Sequence, residues 1–454
     1  MPTRKLSTLG IAAAMALCLA LPGSAGTVHS YIIEGTGNSL PNNLGAMVGA
    51  AGGVLQRVHP EIGVAQATSA DPGFAGKLAG ASGIQSVAQD TIVQWTPPRS
   101  AAVQGTVALA NPPAAAPNPQ GAFFYGCQWN LQQINAPGAW AQGDFGGPRV
   151  KVAVLDTGVD PNHIDLSGKI DTADSVSELT PGSSPCGSAD ETSFIDFDFH
   201  GTFVSSQIVG NLIGMASVAP KSSVVMVKVL NCQGSGSFGD VIAGIRYAAN
   251  LKDVDIINMS LGAYIPKAGN DALIDAIGRA TLYAQIHGKL VVVASGNSAT
   301  DLTFGSPNVE LPAQSPGAIA INATNIQDTL ASYSNFGPAT WVDAPGGDLP
   351  DPVGPLPGCP ISPADLQSLV LGACAASLCG GENFYLIGAG TSFASPLAAG
   401  VSALIDQAAG RPISFFPEYA QLILALTADK IGPFSIYANG RINAGKAVAS
   451  EGFH

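Results

Sequence analysis

Charge is scarce in this sequence: Asp, Glu, Lys and Arg make up 11% of its 454 residues, and the 19 Lys and Arg never gather into a basic run. A phosphate-binding surface needs such a cluster, so nucleic acid is excluded as a partner. The formal net charge of -13 instead suits a soluble exported protein kept apart by like charge. Beyond residue 21 no hydrophobic stretch reaches membrane-spanning length, which excludes a span in the mature form. There is no CxxC pair and no His-rich tract, which argues against zinc. No internal repeat is present, so a repeat architecture is excluded.

What is present is apolar material, 46% of the chain, enough to bury a large core in more than one folded part. Arg4 and Lys5 precede an apolar stretch over 9–21 and then small residues, the layout of a secretory signal peptide cleaved after Ala25 (1–25). The expected location is therefore secreted, extracellular or periplasmic. Of seven cysteines Cys18 leaves with the signal; Cys127, Cys186, Cys232, Cys359, Cys374 and Cys379 remain. In an oxidising compartment these predict three disulfides, with fifteen possible connectivities. Cys374 and Cys379 lie in a Gly/Ala-rich insertion that a staple would hold.

Residues 28–96 carry strand-like and helix-like runs (VHSYIIEG, GGVLQRV, GIQSVAQDTIVQW) that predict a small α+β unit. Residues 97–121 turn Pro- and Ala-rich with little periodicity and read as an extended linker open to cleavage. From 122 to 454 short apolar runs alternate with helical stretches: VKVAVLD, SSVVMVKVL, VDIINMSL, KLVVVASGN and AIAINATN are apolar on both faces. Such strands specify a mainly parallel central sheet covered on each side, a three-layer α/β fold. A Pro/Gly-rich interruption over 344–388 is expected to be a surface insertion.

Hydrolysis by a serine needs a nucleophilic hydroxyl, an imidazole, a carboxylate that fixes the imidazole and donors for the oxyanion. Asp156 ends the buried run VAVLD, at the strand edge where ligand sites of open α/β sheets lie, although alone it could equally be a turn or cap residue. His200 opens HGTFVSSQIVG, and a lone His there is as readily structural. Ser392 in GAGTSFASPLAAG precedes an apolar helix and alone would be an N-cap. Asn297 in VVVASGN ends another strand, where its amide could donate to an oxyanion together with the Ser392 backbone amide.

Taken together, VAVLDTGVD, HGTFVSS, INMSLGA, ASGN and GTSFASP occur in the order Asp, His, Asn, Ser, and the chain resembles the subtilisin-like serine proteases from Gln128 to Val448. The order differs from that of chymotrypsin-like enzymes and of α/β-hydrolases. The resemblance implies a serine endopeptidase in which Ser392 attacks, His200 is general base and then acid, Asp156 orients His200, and Asn297 completes the oxyanion hole. It also implies that substrate lies as an added strand between Gly234, Ser235, Gly236 and Ser237 on one side and Ser260, Leu261 and Gly262 on the other. Residues 28–95 resemble the family's propeptide, an intramolecular inhibitor, so a monomeric zymogen is expected, with peptides and proteins as substrates.

Two motifs depart from the family: HGTFVSS stands for the common HGTHVAG, and GTSFASPLAAG for GTSMASPHVAG, changes expected to concern packing. No cofactor is expected for catalysis and no metal ligands are assigned. The loop after the His200 helix is short and lacks the Asn-bearing excursion that forms a strong calcium site in some members of that family. Structural calcium stays open at an unassigned site, since Asp165 and other carboxylates expected at the surface could bind it but most such groups are simply solvated. A catalytically silent peptide binder is countered by the complete triad; a transferase or cyclase would need a cap over the cleft, for which 344–388 is the candidate. The sedolisin variant, with Glu for His, is disfavoured by the intact HGT. Ala263, Ala294 and Ser295 predict a roomy, uncharged specificity pocket with a broad hydrophobic preference.

Overall fold

A strand with apolar residues on both faces can only be stable inside a layer of helices, and six such segments assemble here with one short edge strand into a seven-stranded sheet. A computed structural model describes residues 27–348, 354–366, 368–410 and 417–451; the expected signal peptide lies outside the described residues. The strand order is Val342–Pro345, Ala318–Thr324, Leu290–Ala294, Val254–Met259, Lys151–Asp156, Ser223–Lys228 and Val176–Ser177, and every pairing is parallel. One face carries the helices Phe238–Asn250 and Asp271–Ile286, the other Thr391–Ala408 and Ala444–Glu451. Among the described residues no helix is long and apolar enough to cross a membrane.

The N-terminal unit is a four-stranded antiparallel sheet in the order Gly53–His59, Val64–Ser69, His29–Gly35, Ile84–Asp90, with the helices Leu44–Ala50 and Phe74–Leu78. The two-residue period of a strand divides its apolar side chains. Tyr31 and Ile33 pack with Leu44, Val48, Phe74 and Leu78 in a core of the unit's own, whereas Ile32 and Val64 join the core beneath the two helices of the larger domain.

The stretch 97–121 is more ordered than an extended linker. Arg99–Ala102 forms a helical turn, and Val103–Ala108 pairs antiparallel with Phe384–Gly388, which pairs with Val370–Ala373 in a third sheet. Half-buried Val103, Gly105 and Val107 alternate with exposed Gln104, Thr106 and Ala108, a period that the surrounding Ala and Pro conceal. Nor is 344–388 only a surface insertion: Val370–Ala373 is wholly buried, and Gln207 and Trp129 donate to the carbonyls of Leu371 (2.7 Å) and Leu369 (2.8 Å). The disulfides are Cys127–Cys359, Cys186–Cys232 and Cys374–Cys379.

Candidate functional site

Strand Lys151–Asp156 delivers Asp156 to the C-terminal edge of the sheet, and the helix His200–Ile208 begins beside it. His200 Nδ1 lies 2.8 Å from Asp156 Oδ1, both side chains fully buried. The approach requires glycine: a Cβ on Gly201 would overlap the Gly158 carbonyl and crowd Asp156. Burial alone would lower the His200 pKa; the charge and hydrogen bond of Asp156, with Asp198 and Asp196 behind, outweigh it and hold the imidazole above its ordinary value. His200 Nε2 is buried and, among the described residues, has no hydrogen-bond partner.

Behind this pair lies a polar network that sequence reading missed. Asp196 accepts from Thr157 Oγ1 (3.0 Å), Thr202 N (3.0 Å) and Thr202 Oγ1 (2.6 Å), and Thr157 Oγ1 accepts from Gly201 N (2.9 Å). The fully buried Lys228 pairs with Asp190 at 2.9 Å and donates to the Thr157 carbonyl. Burial pushes the Asp198 carboxyl up to about 7, helped by the neighbouring Asp196. These groups clamp the turn after Asp156 and the start of the His200 helix. The only signal in the sequence is polar residues inside apolar runs, such as Lys228 in VVMVKVL, which buried charges explain only when their partners are known.

Ser392 is the second residue of the helix Thr391–Ala408, where the helix end favours negative charge. Its hydroxyl donates to the Ser260 carbonyl at 3.0 Å, and Ser260 Oγ donates back to the Ser392 carbonyl at 2.8 Å. The Ser392 hydroxyl is thus turned to Ser260 and not to His200. Asn297 is oriented by its own oxygen, which accepts from Thr391 N and Thr391 Oγ1, each at 2.9 Å. That leaves its NH2 to donate on the side of the cavity that Asn297 shares with Ser392.

A groove crosses these residues, and the chain itself lies in it. Ile92–Gln94 pairs antiparallel with Ser235–Ser237; Trp95 N and Thr96 N donate to Gly234 O at 3.0 and 3.3 Å, and Gly262 N donates to Trp95 O at 2.8 Å. The segment is therefore an added strand between the two backbones assigned to substrate. Trp95 packs edge-on against Phe238 and donates from its indole to Gly236 O at 3.0 Å. Thr96 and Pro97 go on to line the cavity beside Ser392.

Residues 147–440 match the description of the subtilase family. The chain belongs to this family of serine proteases. It is 32% identical to thermitase of Thermoactinomyces vulgaris over 73% of this chain and 99% of thermitase. It is likewise 32% identical to subtilisin Savinase of Lederbergia lenta over 70% of this chain and 98% of that protein. The fold is shared with a crystal structure of the epidermin leader peptide processing serine protease of Staphylococcus aureus: TM-score 0.75, 23% identity, 93% of this chain and 98% of the other.

The two departures of this subtilase from the common motifs meet one another. Phe203 of HGTFVSS and Phe393 of GTSFASP stack at 3.9 Å between centroids with 23° between planes. Their cluster includes Phe199, Val370 and Leu386, and a Cβ on Gly372 would strike the Phe203 ring. Asp165, expected to be exposed and open to calcium, is fully buried. It accepts from Ile213 N (2.7 Å), Gly214 N (3.1 Å), Met215 N (3.0 Å) and Tyr385 OH (2.6 Å), which saturates it as an anchor for that turn. The cluster Asp171, Asp174 and Asp253 already holds a cation of its own, Lys151. The cavity beside Ser392, lined by Ala263 and Ala294 as expected, is also lined by an acid, Glu310.

Proposed function

We propose that this subtilase is a secreted serine endopeptidase made as a zymogen, with residues 28–96 as its inhibitor. The observation that carries the reading is the chain's own strand, bonded to the backbones of 234–237 and Gly262 and leading to the cavity lined by Asn297 and Ser392, as a peptide substrate would sit. On this reading Ser392 Oγ turns from the Ser260 carbonyl to His200 Nε2, gives up its proton there and bonds to the scissile carbonyl carbon. The Ser392 backbone amide and the Asn297 NH2 hold the resulting oxyanion. Asp156 keeps the imidazole in the tautomer that accepts at Nε2, and the imidazolium returns the proton to the departing amine. Water then hydrolyses the acyl-enzyme by the reverse order of roles. A strand held by backbone hydrogen bonds suits proteins of varied sequence as substrates. The purified processed protein is expected to cleave casein and to take a fluorophosphonate label on Ser392; a folded sample that carries no label there contradicts the mechanism.

A further inference from the structure

The cavity beside Ser392 ends in an acid. It encloses about 240 Å³, the size of one side chain, between the segments 261–264 and 294–298, and Glu310 forms part of its wall. Glu310 is almost wholly buried. Its carboxylate receives one hydrogen bond, from Asn335 Nδ2 to Oε2 at 3.2 Å. Both walls are glycine where the carboxylate rests: a Cβ on Gly262 or on Gly296 would run into it. Among the described residues that line the cavity there is no Lys, Arg or His; Tyr264 is the other titratable side chain with an acidic group. A buried carboxylate with a single neutral partner and no cation is costly as an anion, and burial pushes the Glu310 pKa up to about 8, only partly opposed by Asn335.

The chain itself supplies the missing charge. Between Asp90 and Asp144 the sequence has one charged residue, Arg99, two positions beyond Pro97, which lines the cavity. Arg99 is exposed and makes no ion pair among the described residues. It begins the four-residue turn Arg99–Ala102, held by bonds from Ala101 N (2.8 Å) and Ala102 N (3.3 Å) to the Pro98 carbonyl. Its far end is fixed, because Ala102 is buried and its carbonyl accepts from Ala389 N at 3.0 Å. Seating Arg99 therefore takes unwinding of the residues before Ala102 and their advance past the place that Pro97 now holds at the cavity.

We propose that Glu310 makes this cavity a site for a guanidinium or ammonium group, so that the subtilase cleaves after Arg or Lys, and that Arg99–Ser100 is the bond it cuts in its own chain. The inference rests on the serine-endopeptidase reading. With Arg99 seated, Ser392 Oγ bonds to the Arg99 carbonyl carbon and its proton passes to His200. The proton goes to the Ser100 nitrogen as the C–N bond breaks. Water then adds to the acyl carbon, leaving a carboxylate on Arg99, a free amine on Ser100 and the Ser392 hydroxyl restored.

The test is a panel of fluorogenic peptides that differ only in the residue before the scissile bond (Arg, Lys, Leu, Phe, Gln), given to the processed protein at pH 8. Arg and Lys peptides are expected to exceed Leu in kcat/KM by about tenfold or more, as loss of a buried charge pair implies. Glu310→Gln should collapse that Arg-to-Leu ratio and Glu310→Asp should restore part of it. N-terminal sequencing of the processed protein should begin at Ser100. If Glu310→Gln does not fold, benzamidine decides on the wild type, where it should compete with the Arg peptide. Leu, Phe or Gln peptides equalling Arg in the wild type, or benzamidine without effect, would overturn the proposal. Hydrolysis of none of the panel, with no fluorophosphonate label on Ser392, would be a different failure, that of the endopeptidase reading itself.

Discussion

The two large sheets of this molecule solve the same problem unequally. The seven-stranded sheet has helices of its own over both apolar faces. The N-terminal sheet has its own helices over one face and borrows Phe238–Asn250 and Asp271–Ile286 from the peptidase domain for the other, through Ile32, Ile62 and Val64. The borrowed interface is edged with charge. Arg57 pairs with Asp240 at 3.2 Å, Arg246 with Glu61, and Arg279 lies 3.6 Å from Glu34 and donates to Gly35 O at 3.0 Å. An apolar face completed by another domain links folding to docking: the small unit is most stable where it is docked on those two helices.

Ser392→Ala should separate the two units' roles most strongly. It should lower peptide hydrolysis by a factor of about 10⁶ and leave the units joined in one chain, as read by casein hydrolysis and gel electrophoresis. Phe203→Ala removes a stacked, fully buried ring from the peptidase domain alone. About 3–5 kcal/mol of that domain's stability should be lost, measured by denaturant unfolding of the processed protein. Asn297→Ala leaves both sheets intact and should lower kcat by about 10²–10³ with little change in KM.

The smallest effect concerns the charged border. Burial, with Asp240 adding to it, pushes Asp90 up to about 6; burial pushes Glu34 up to about 7, with Asp275 adding to it and Ser86 and Arg279 opposing it. Asp90 accepts from Gly239 N of the peptidase domain at 3.3 Å, and Arg57 stands near, on Asp240. Both acids hold their protons more tightly docked than in the ordinary carboxylate range. Their support for docking is complete below that range and is lost as pH rises through about 6 to 7. The cleaved N-terminal unit should bind about tenfold more weakly at pH 8 than at pH 5, since an acid that holds its proton tenfold more tightly when docked weakens binding tenfold once that proton is lost. Gel filtration at the two pH values reads the difference.

Which of these features could be read from the sequence depended on how local the signal was. Asp156, His200, Asn297 and Ser392 each sit at the end of a strand or the start of a helix inside a fixed motif, so their places follow from neighbours within a few residues. The parallel sheet was readable for the same reason, from strands apolar on both faces. The strand Val103–Ala108 was not, because its alternation is carried by Gly105 and small residues that give little hydrophobic contrast. Asp165 looked like any surface acid until the turn 213–215 closed over it. Glu310 was out of reach: it lies far before Ser392 in the chain, and only the pairing of Ala263–Pro266 with Asn308–Leu311 brings it to the cavity.

If the residues at the sheet's edge cut the strand lying across them, purified full-length wild type and Ser392→Ala must part company when their intact masses are followed over time. The wild type should separate into two fragments whose masses sum to the chain plus one water, while Ser392→Ala keeps a single mass. Equal splitting of both proteins at the same bond would contradict self-cleavage by Ser392.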